Sequence, residues 1–214
     1  MTIRGSIDGN VKSTTLAARF VGGPHISAPD QAKRRLKEWL ADLVPEQAAD
    51  IDRLLQRFPT ARTIFLGLAD ASPYLFDLIS TDAPRVIRLL LCEPERHLAQ
   101  LIEKTGDDVL AAQSEAEVMQ LLRGTKSEAA LLIALCDIGG VWPVMQVTAA
   151  LTELAVASEQ TALRFLLREE AKRRKIVPPN PDRPEDDSGL IVLAMGKMGA
   201  GELNFSSDID RFGA

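Results

Sequence analysis

Apolar residues recur with the period of an α-helix over residues 29–177. In the first clear stripe they follow i, i+3, i+4 and i+7 spacing, which places them on one helix face. That stripe consists of Leu36, Trp39, Leu40 and Leu43. Residues 1–28 mix glycine, serine, threonine and proline without a sustained period, so we expect them to be weakly ordered. The pattern predicts a helical domain over residues 29–177.

Proline, hydroxyl and carboxyl side chains mark the boundaries of the predicted helices. Proline suits a first helical turn because its missing N–H has no partner there, and serine or aspartate caps the free N–H groups. These signals predict helix starts at Pro45, Ser72-Pro73 and Asp82, and capping boxes at Ser114–Glu117 and Thr125–Glu128. The longest helix is predicted from about Pro143 to about Lys175, after a break at Gly139-Gly140.

A proline-rich segment separates the helical region from the C-terminal residues 190–214. Four of the 12 prolines lie between Pro178 and Pro184. Proline cannot continue a helix and stiffens an extended chain, so residues 178–189 are predicted to be a linker. The apolar run 190–195 is consistent with a buried strand. A glycine-rich turn, a short helix and an Asp-x-Asp strand are predicted to complete the chain.

Composition and charge limit the classes of function. Apolar residues make up 46% of the chain, as in ordinary globular proteins. The net charge is −5 and aromatic residues amount to 5%, whereas nucleic-acid binders are usually basic and stack bases on aromatic rings. We therefore expect no nucleic-acid partner. We interpret the basic run Lys172–Lys175 as a solvated helix end, with a phosphate-binding patch as the alternative.

No targeting or membrane segment is predicted. Residues 1–25 carry charges and no continuous apolar region, which excludes a standard signal peptide. The most apolar stretch, residues 129–147, contains an aspartate, two glycines and a proline and is too interrupted to span a bilayer. Cys92 and Cys136 lie in apolar stretches and are predicted to be buried thiols in a reducing compartment. We expect a soluble cytoplasmic protein without membrane association.

The candidate chemistry lies after the linker. Asp208 and Asp210 are two residues apart, so on a strand their carboxylates point to the same face and can share a hard divalent cation with phosphate oxygens and water. The turn beginning at Gly196 lets backbone N–H groups approach a phosphate, and the N-terminus of a following helix adds positive potential. Ser206 and Ser207 offer hydroxyls beside the carboxylates. These parts suit metal-assisted attack at phosphorus.

Three other motifs do not fit this segment. In a Walker A loop the Gly-Lys pair comes last, whereas here it comes first. A dinucleotide fingerprint has the spacing Gly-x-Gly-x-x-Gly, and this chain has Gly196, Gly199 and Gly201. An EF-hand loop is broken by Arg211-Phe212.

The segment from Ala194 to Asp210 closely resembles the signature of the bifunctional glutamine synthetase adenylyltransferase/adenylyl-removing family. It is a variant of the Gly-Ser…Asp-x-Asp signature of nucleotidyltransferases, with Lys197 in the serine position. Residues 121–155 also resemble the helical lead-in of that family, and the resemblance weakens before about residue 60. It implies a mostly α chain, in which a helical region is followed by the beginning of an α/β nucleotidyltransferase core at residues 190–214.

The resemblance implies a role in nitrogen regulation. One half of the family's chain removes AMP from a tyrosine of glutamine synthetase by phosphorolysis, using inorganic phosphate and releasing ADP. The other half adds AMP from ATP. The position of the motif in the chain resembles the removing half, and direction rests on that position alone. The implied partners are glutamine synthetase and a PII-type signalling protein.

The resemblance also implies roles for individual residues. Asp208 and Asp210 would hold Mg²⁺, which makes them the catalytic pair. Ser206 and Ser207 would support the metal or the nucleotide.

The resemblance implies that Gly196 and the turn after it, which includes Gly199, lie near the phosphate groups of the nucleotide. Lys197 lies in the same turn. Its side chain would either reach a phosphate or face solvent, and the sequence leaves both interpretations open.

The chain departs from the family after Asp210, where an apolar strand and a later carboxylate are expected. We therefore expect a truncated family member with little or no activity alone. The alternative is a non-catalytic helical module that docks glutamine synthetase or a PII-type regulator. A nucleotidyltransferase for a small nucleotide or antibiotic matches the long helical lead-in poorly.

Overall fold

The computed structural model describes residues 13–208 and 211–213. This part of the chain is mostly helical, as the apolar period predicts. Its helices are α1 (Leu16–Arg19), α2 (Pro29–Asp42), α3 (Pro45–Arg57), α4 (Pro59–Ala71), α5 (Pro73–Ser80), α6 (Ala83–Leu91), α7 (Pro94–Ala111), α8 (Glu115–Ile138), α9 (Val144–Lys172) and α10 (Gly196–Gly199). Its strands are β1 (Val192–Ala194) and β2 (Arg211–Gly213).

Helices α2 to α6 all have proline at their first or second position, where the missing N–H leaves no intrahelical bond unmade. The predicted start at Pro45 is confirmed. The Ser72 hydroxyl accepts a hydrogen bond from the Leu75 N–H at 3.4 Å. The Asp82 carboxylate accepts one from the Arg85 N–H at 2.9 Å. Both predicted caps are therefore confirmed.

The two predicted capping boxes have different outcomes. Before α8, the Ser114 hydroxyl accepts a hydrogen bond from the Glu117 N–H at 3.2 Å, and the Glu117 carboxylate accepts one from the N–H just before Ser114. The box predicted at Thr125 is wrong, because Thr125 lies inside α8 and its hydroxyl donates to the Leu121 carbonyl at 3.1 Å. A hydroxyl followed three residues later by a carboxyl thus occurs in helix interiors as well as at helix starts.

Residue contacts divide the chain into two compact units. Of the described residues, the first unit contains 13–98 and 131–143. All other described residues form the second unit, including the proline-rich segment 178–189.

The core of the first unit is built from the apolar faces that the helical period predicts. Trp39 of α2 is buried, and its ring centroid lies 6.2 Å from that of Phe65 and 6.3 Å from that of Phe76. Ile51 and Leu54 of α3 are fully buried. Each such side chain contributes about 1.5–3 kcal/mol by leaving water, so these faces hold the helices of this unit together.

Residues 13–28 have more defined structure than their irregular pattern indicates. Leu16 of α1 is fully buried, and its N–H donates to the Cys92 carbonyl at 2.8 Å. The Val21 N–H donates to the Gly139 carbonyl at 2.9 Å. A four-residue helix is too short to reveal a period, so contacts with distant parts of the first unit order this segment.

The break between α8 and α9 depends on glycine. Gly140 has φ 65°, a left-handed conformation that other residues adopt at a cost. It lets the Val141 N–H donate to the Cys136 carbonyl at 2.8 Å, which satisfies one of the free carbonyls at the end of α8. The predicted break at Gly139-Gly140 is confirmed.

A polar cluster joins α1, α7 and the turn after α8. The Glu95 carboxylate accepts two hydrogen bonds from the Arg19 guanidinium, at 2.7 and 2.8 Å, and one from the Trp142 indole N–H at 2.6 Å. The hydrogen bond from Arg19 is the largest cause that lowers the pKa of Glu95 from 4.5 to about 2. The folded state therefore stabilises the charged form of the Glu95 carboxylate.

Acid should weaken the first unit through Glu95. Because the folded pKa is depressed, its contribution is fully present above pH 4.5 and is lost as the pH falls towards 2. The Glu95 side chain is 42% exposed, so solvent screening limits the effect to about 1 kcal/mol. Urea unfolding followed by tryptophan fluorescence between pH 3 and 6 measures it.

The matched comparison for this acid effect uses two glutamine variants. Glu95→Gln should flatten the fall in unfolding free energy between pH 4.5 and 3 relative to the unchanged chain. Glu93→Gln removes an exposed carboxylate two residues away. The fall in unfolding free energy between pH 4.5 and 3 should be the same in this variant as in the unchanged chain. Equal pH slopes for the unchanged chain and Glu95→Gln would contradict the assignment.

Helix α9 is the longest helix of the second unit. It runs from Val144 to Lys172, close to the range predicted from the apolar period. Its Phe165 is buried in a cluster with Val109, Ala112 and Val118. This cluster joins α9 to helices α7 and α8 within the second unit.

The proline-rich segment is attached to α9 by an ion pair. The Arg164 guanidinium donates to the Glu185 carboxylate, with Nε and Oε1 2.6 Å apart. Burial is the largest single cause acting on the pKa of Glu185 and raises it, but the hydrogen bond from Arg164, a backbone hydrogen bond and the positive charges of Arg164 and Arg183 together outweigh it, and the net shift is downward. Pro184 is buried beside this pair. The segment predicted as a linker is thus held against the helix that precedes it.

Among the described residues, no helix is both long enough and apolar enough to cross a membrane. Cys136 is buried, as predicted, and burial raises the pKa of its thiol. Cys92 is partly exposed, which differs from the prediction that both thiols are buried.

Candidate functional site

Strands β1 and β2 bring two parts of the motif to one end of a small antiparallel sheet. Ala194 at the end of β1 pairs with Arg211 at the beginning of β2. The glycine-rich turn begins two residues after Ala194, and Asp208 lies three residues before Arg211. Because the strands run in opposite directions, the turn and Asp208 lie at the same end of the sheet.

The glycine-rich turn needs glycine for two reasons. Gly196 has φ 56°, which favours a residue without a Cβ. At Gly199 a Cβ atom would lie 2.5 Å from the Ala194 carbonyl oxygen, closer than any real side chain is found. The backbone of the turn at Gly199 therefore packs directly against the end of β1, and a larger residue at this position would push the turn away from the strand.

The short helix in this segment differs from the prediction. Helix α10 lies within the glycine-rich turn, from Gly196 to Gly199, and does not follow it. It is a single turn, so few aligned peptide dipoles add at its N-terminus. The positive potential predicted for a following helix is therefore not available. The N–H groups of residues 199–202 donate to carbonyl groups of the turn and of the residue before it, so the N–H groups at the start of the turn and the Lys197 side chain are what it can present to an anion.

Lys197 has an exposed side chain, while its carbonyl accepts a hydrogen bond from the Glu202 N–H at 2.8 Å. The backbone of Lys197 thus closes the turn and the ammonium group extends into solvent. Both interpretations of this lysine remain predictions.

The turn before Asp208 is closed by its own side chains. The Ser207 hydroxyl donates to the Asn204 side-chain carbonyl at 2.8 Å and accepts from the Asn204 N–H at 3.2 Å. The same side-chain carbonyl accepts from the Ser206 N–H at 3.1 Å. Ser207 is therefore used to shape the turn, and the exposed Ser206 is the hydroxyl that remains available beside Asp208.

Asp208 is exposed and lies outside the strand that was predicted to carry it, because β2 begins at Arg211. Asp210 lies outside the described residues. Among the described residues no cluster of three or more metal-binding side chains occurs. The donor chemistry fits a hard cation such as Mg²⁺, since Asp208 offers a carboxylate and Ser206 a hydroxyl, both reachable by water and phosphate oxygens.

Two features that hold this segment had no clear sequence signal. Met198 and Leu203 are each 4% exposed and anchor the two ends of the turn region. The Leu203 N–H donates to the Thr152 hydroxyl of α9 at 3.2 Å. The spacing of Asn204 and Ser207 could have indicated a side-chain-closed turn, but nothing local marks Thr152.

Lys172, Arg173 and Lys175 of the basic run at the end of α9 form ion pairs with carboxylates of the same helix. Lys172 pairs with Glu169 at 2.7 Å. Arg173 and Lys175 both pair with Glu170, at 3.0 and 2.9 Å. This arrangement supports the interpretation of a solvated helix end over a phosphate-binding patch.

Comparisons with known proteins agree on one family. A family model described as glutamate-ammonia ligase adenylyltransferase matches residues 65–212. A Bradyrhizobium protein (strain BTAi1) named bifunctional glutamine synthetase adenylyltransferase/adenylyl-removing enzyme is 62% identical over 96% of this chain and 21% of its own length. A protein of the same name from Xanthobacter autotrophicus is 43% identical over 92% of this chain and 20% of its own length.

The chain spans about a fifth of the length of the curated relatives it matches. No solved structure matches it.

Proposed function

The chain belongs to the glutamate-ammonia ligase adenylyltransferase family, and we propose that it takes part in removing AMP from adenylylated glutamine synthetase. The observation that carries the proposal is the meeting of the glycine-rich turn and Asp208 at one end of the β1–β2 sheet. A phosphate-binding turn beside a metal-binding carboxylate suits nucleotidyl transfer.

The reaction we propose is a phosphorolysis. An oxygen of inorganic phosphate attacks the phosphorus of the AMP group, the bond from that phosphorus to the tyrosyl oxygen breaks, and ADP leaves. The proton of the attacking phosphate passes to the tyrosyl oxygen, which restores the tyrosine. Atoms and charge balance without an oxidant or a further co-reactant.

We assign the metal to the two carboxylates, with Asp208 and Asp210 as its protein ligands. Mg²⁺ bound there would neutralise the charge that develops on the phosphate oxygens. Ser206 would bind a metal-bound water or a nucleotide oxygen, and Ser207 would hold the turn in shape. Each role requires the residue types present, namely hard oxygen donors.

The glycine-rich turn would position the phosphates. Gly196 would let the backbone N–H groups at the start of the turn approach an anion without a Cβ in between, and Gly199 would keep the turn packed against the end of β1. Lys197 extends from the same turn and would contact a phosphate as a point charge. The direction of transfer is inferred only from the position of the motif, which resembles its position in the removing half of the family.

The partners and compartment belong to the same proposal. Glutamine synthetase would be the substrate, a PII-type protein and glutamine would regulate the balance between adding and removing AMP, and the reaction would occur in the cytoplasm. Turnover by the 214-residue chain is expected to be slow. A two-stranded sheet with exposed Leu193 and Ile191 is marginally stable by itself.

A single-turnover assay tests the proposal. The chain is mixed in excess with adenylylated glutamine synthetase, Mg²⁺ and inorganic phosphate, and ADP is quantified. We expect ADP formation that needs both phosphate and Mg²⁺. ATP-dependent addition of AMP without any removal would reverse the proposed direction. No transfer in either direction would leave the non-catalytic docking module as the better account of this chain.

A further inference from the structure

The position of Asp208 depends on how its turn is held. Metal-binding groups need a supporting shell that fixes them to within a fraction of an ångström. The hydrogen bonds of Asn204, Ser206 and Ser207 close the turn on itself. They give the turn a shape but do not attach it to a helix.

Attachment comes from Thr152, which lies in the first third of α9. Its hydroxyl accepts a hydrogen bond from the Leu203 N–H at 3.2 Å and donates one to the Thr148 carbonyl at 2.8 Å. Donation to the carbonyl one turn earlier fixes the rotamer, so the oxygen lone pair faces the Leu203 N–H. The buried Leu203 side chain adds an apolar anchor at the same residue.

We propose that Thr152 is a positioning residue for the metal site, an inference that rests on the proposed function of Asp208. Thr152 fixes the backbone at Leu203, the adjoining turn from Asn204 to Ser207 transmits that position, and Asp208 follows the turn directly. Thr152 is 56 residues away from Asp208 in sequence, and its hydroxyl bonds to the backbone of Thr148 and Leu203. Its effect is to reduce the number of positions that the Asp208 carboxylate can take.

The test combines metal affinity with local backbone opening. Mn²⁺, which takes the same hard oxygen ligands as Mg²⁺, is titrated alone into the 214-residue chain and followed by electron paramagnetic resonance. Hydrogen–deuterium exchange is measured on peptides that cover residues 203–208. These readouts do not depend on turnover.

Thr152→Val keeps the size of the side chain and removes the hydroxyl. We expect about 10-fold weaker Mn²⁺ binding, the lower end of what loss of an outer-shell partner costs, together with faster exchange at residues 203–208. Thr152→Ser keeps the hydroxyl and should restore both. Thr148→Val is the matched control, because the Thr148 hydroxyl donates to the Met145 carbonyl within α9 and should change neither readout.

The outcomes separate this inference from the proposed function. Faster exchange with unchanged Mn²⁺ affinity in Thr152→Val would make Thr152 merely structural and overturn the inference. Mn²⁺ affinity that is absent in the unchanged chain, or unaffected by Asp208→Asn, would overturn the metal site itself. If circular dichroism finds Thr152→Val unfolded, Thr152→Ala is read by the same criteria.

Discussion

Asp208→Asn is expected to weaken Mn²⁺ binding by about 100-fold or more and to reduce ADP formation below detection. The substitution keeps the shape of the side chain but removes a negative charge from the group proposed to bind the cation. Loss of an outer-shell partner already costs roughly 10- to 100-fold in affinity, so loss of a direct ligand must cost at least as much. The exposed position of Asp208 makes a folding defect an implausible cause of the loss.

Asp187→Asn is the matched control for Asp208→Asn. Asp187 is exposed, belongs to the same unit, and has φ 54°, a conformation that asparagine tolerates well. It should retain full Mn²⁺ affinity and ADP formation. Binding to glutamine synthetase, measured by surface plasmon resonance, should survive in both variants. If ADP formation continued unchanged in Asp208→Asn, the catalytic assignment would fail and the helical docking module would become the better account.

Much of the helical fold was predictable because its causes are local. The apolar stripe through Leu36 and Trp39 defines the buried face of α2, and proline marks where successive helices begin. The cap at Asp82 follows from the need to satisfy free N–H groups at a helix start. Each of these features depends on residues within one or two turns.

The turns of the candidate site could be predicted from the sequence, but the contact that attaches them to α9 could not. Glycine at Gly199 and the closed turn before Asp208 follow from local backbone requirements. The link from Thr152 to Leu203 joins residues 51 positions apart, and no short pattern encodes it. The wrong capping box at Thr125 has the same origin, since a helix continues where tertiary packing supports it even when a local start signal is present.

The contact at Gly139 is another long-range feature of this kind. The turn after α8 approaches the segment that follows α1 so closely that a Cβ at Gly139 would lie 2.2 Å from Cδ1 of Phe20. It would also lie 2.7 Å from the Leu135 carbonyl oxygen, an atom that cannot move without disturbing α8. Phe20 is buried, and the neighbouring Val21 N–H bonds to the Gly139 carbonyl.

Gly139→Ala should therefore destabilise the first unit by about 2–3 kcal/mol, as overpacking of a closely packed site does. Gly22→Ala is the matched control in the same segment and unit, because nothing lies within 4 Å of a Cβ added there. Both substitutions restrict the unfolded chain alike, which by itself stabilises by about 0.4–1 kcal/mol, so the difference between them measures the two close contacts, with Phe20 and with the Leu135 carbonyl oxygen. Urea unfolding followed by the fluorescence of Trp39 and Trp142, both in this unit, measures that difference. Equal stabilities of the two variants would mean that Phe20 does not pack against Gly139 in solution, and the ordering of residues 13–28 by this contact would have to be abandoned.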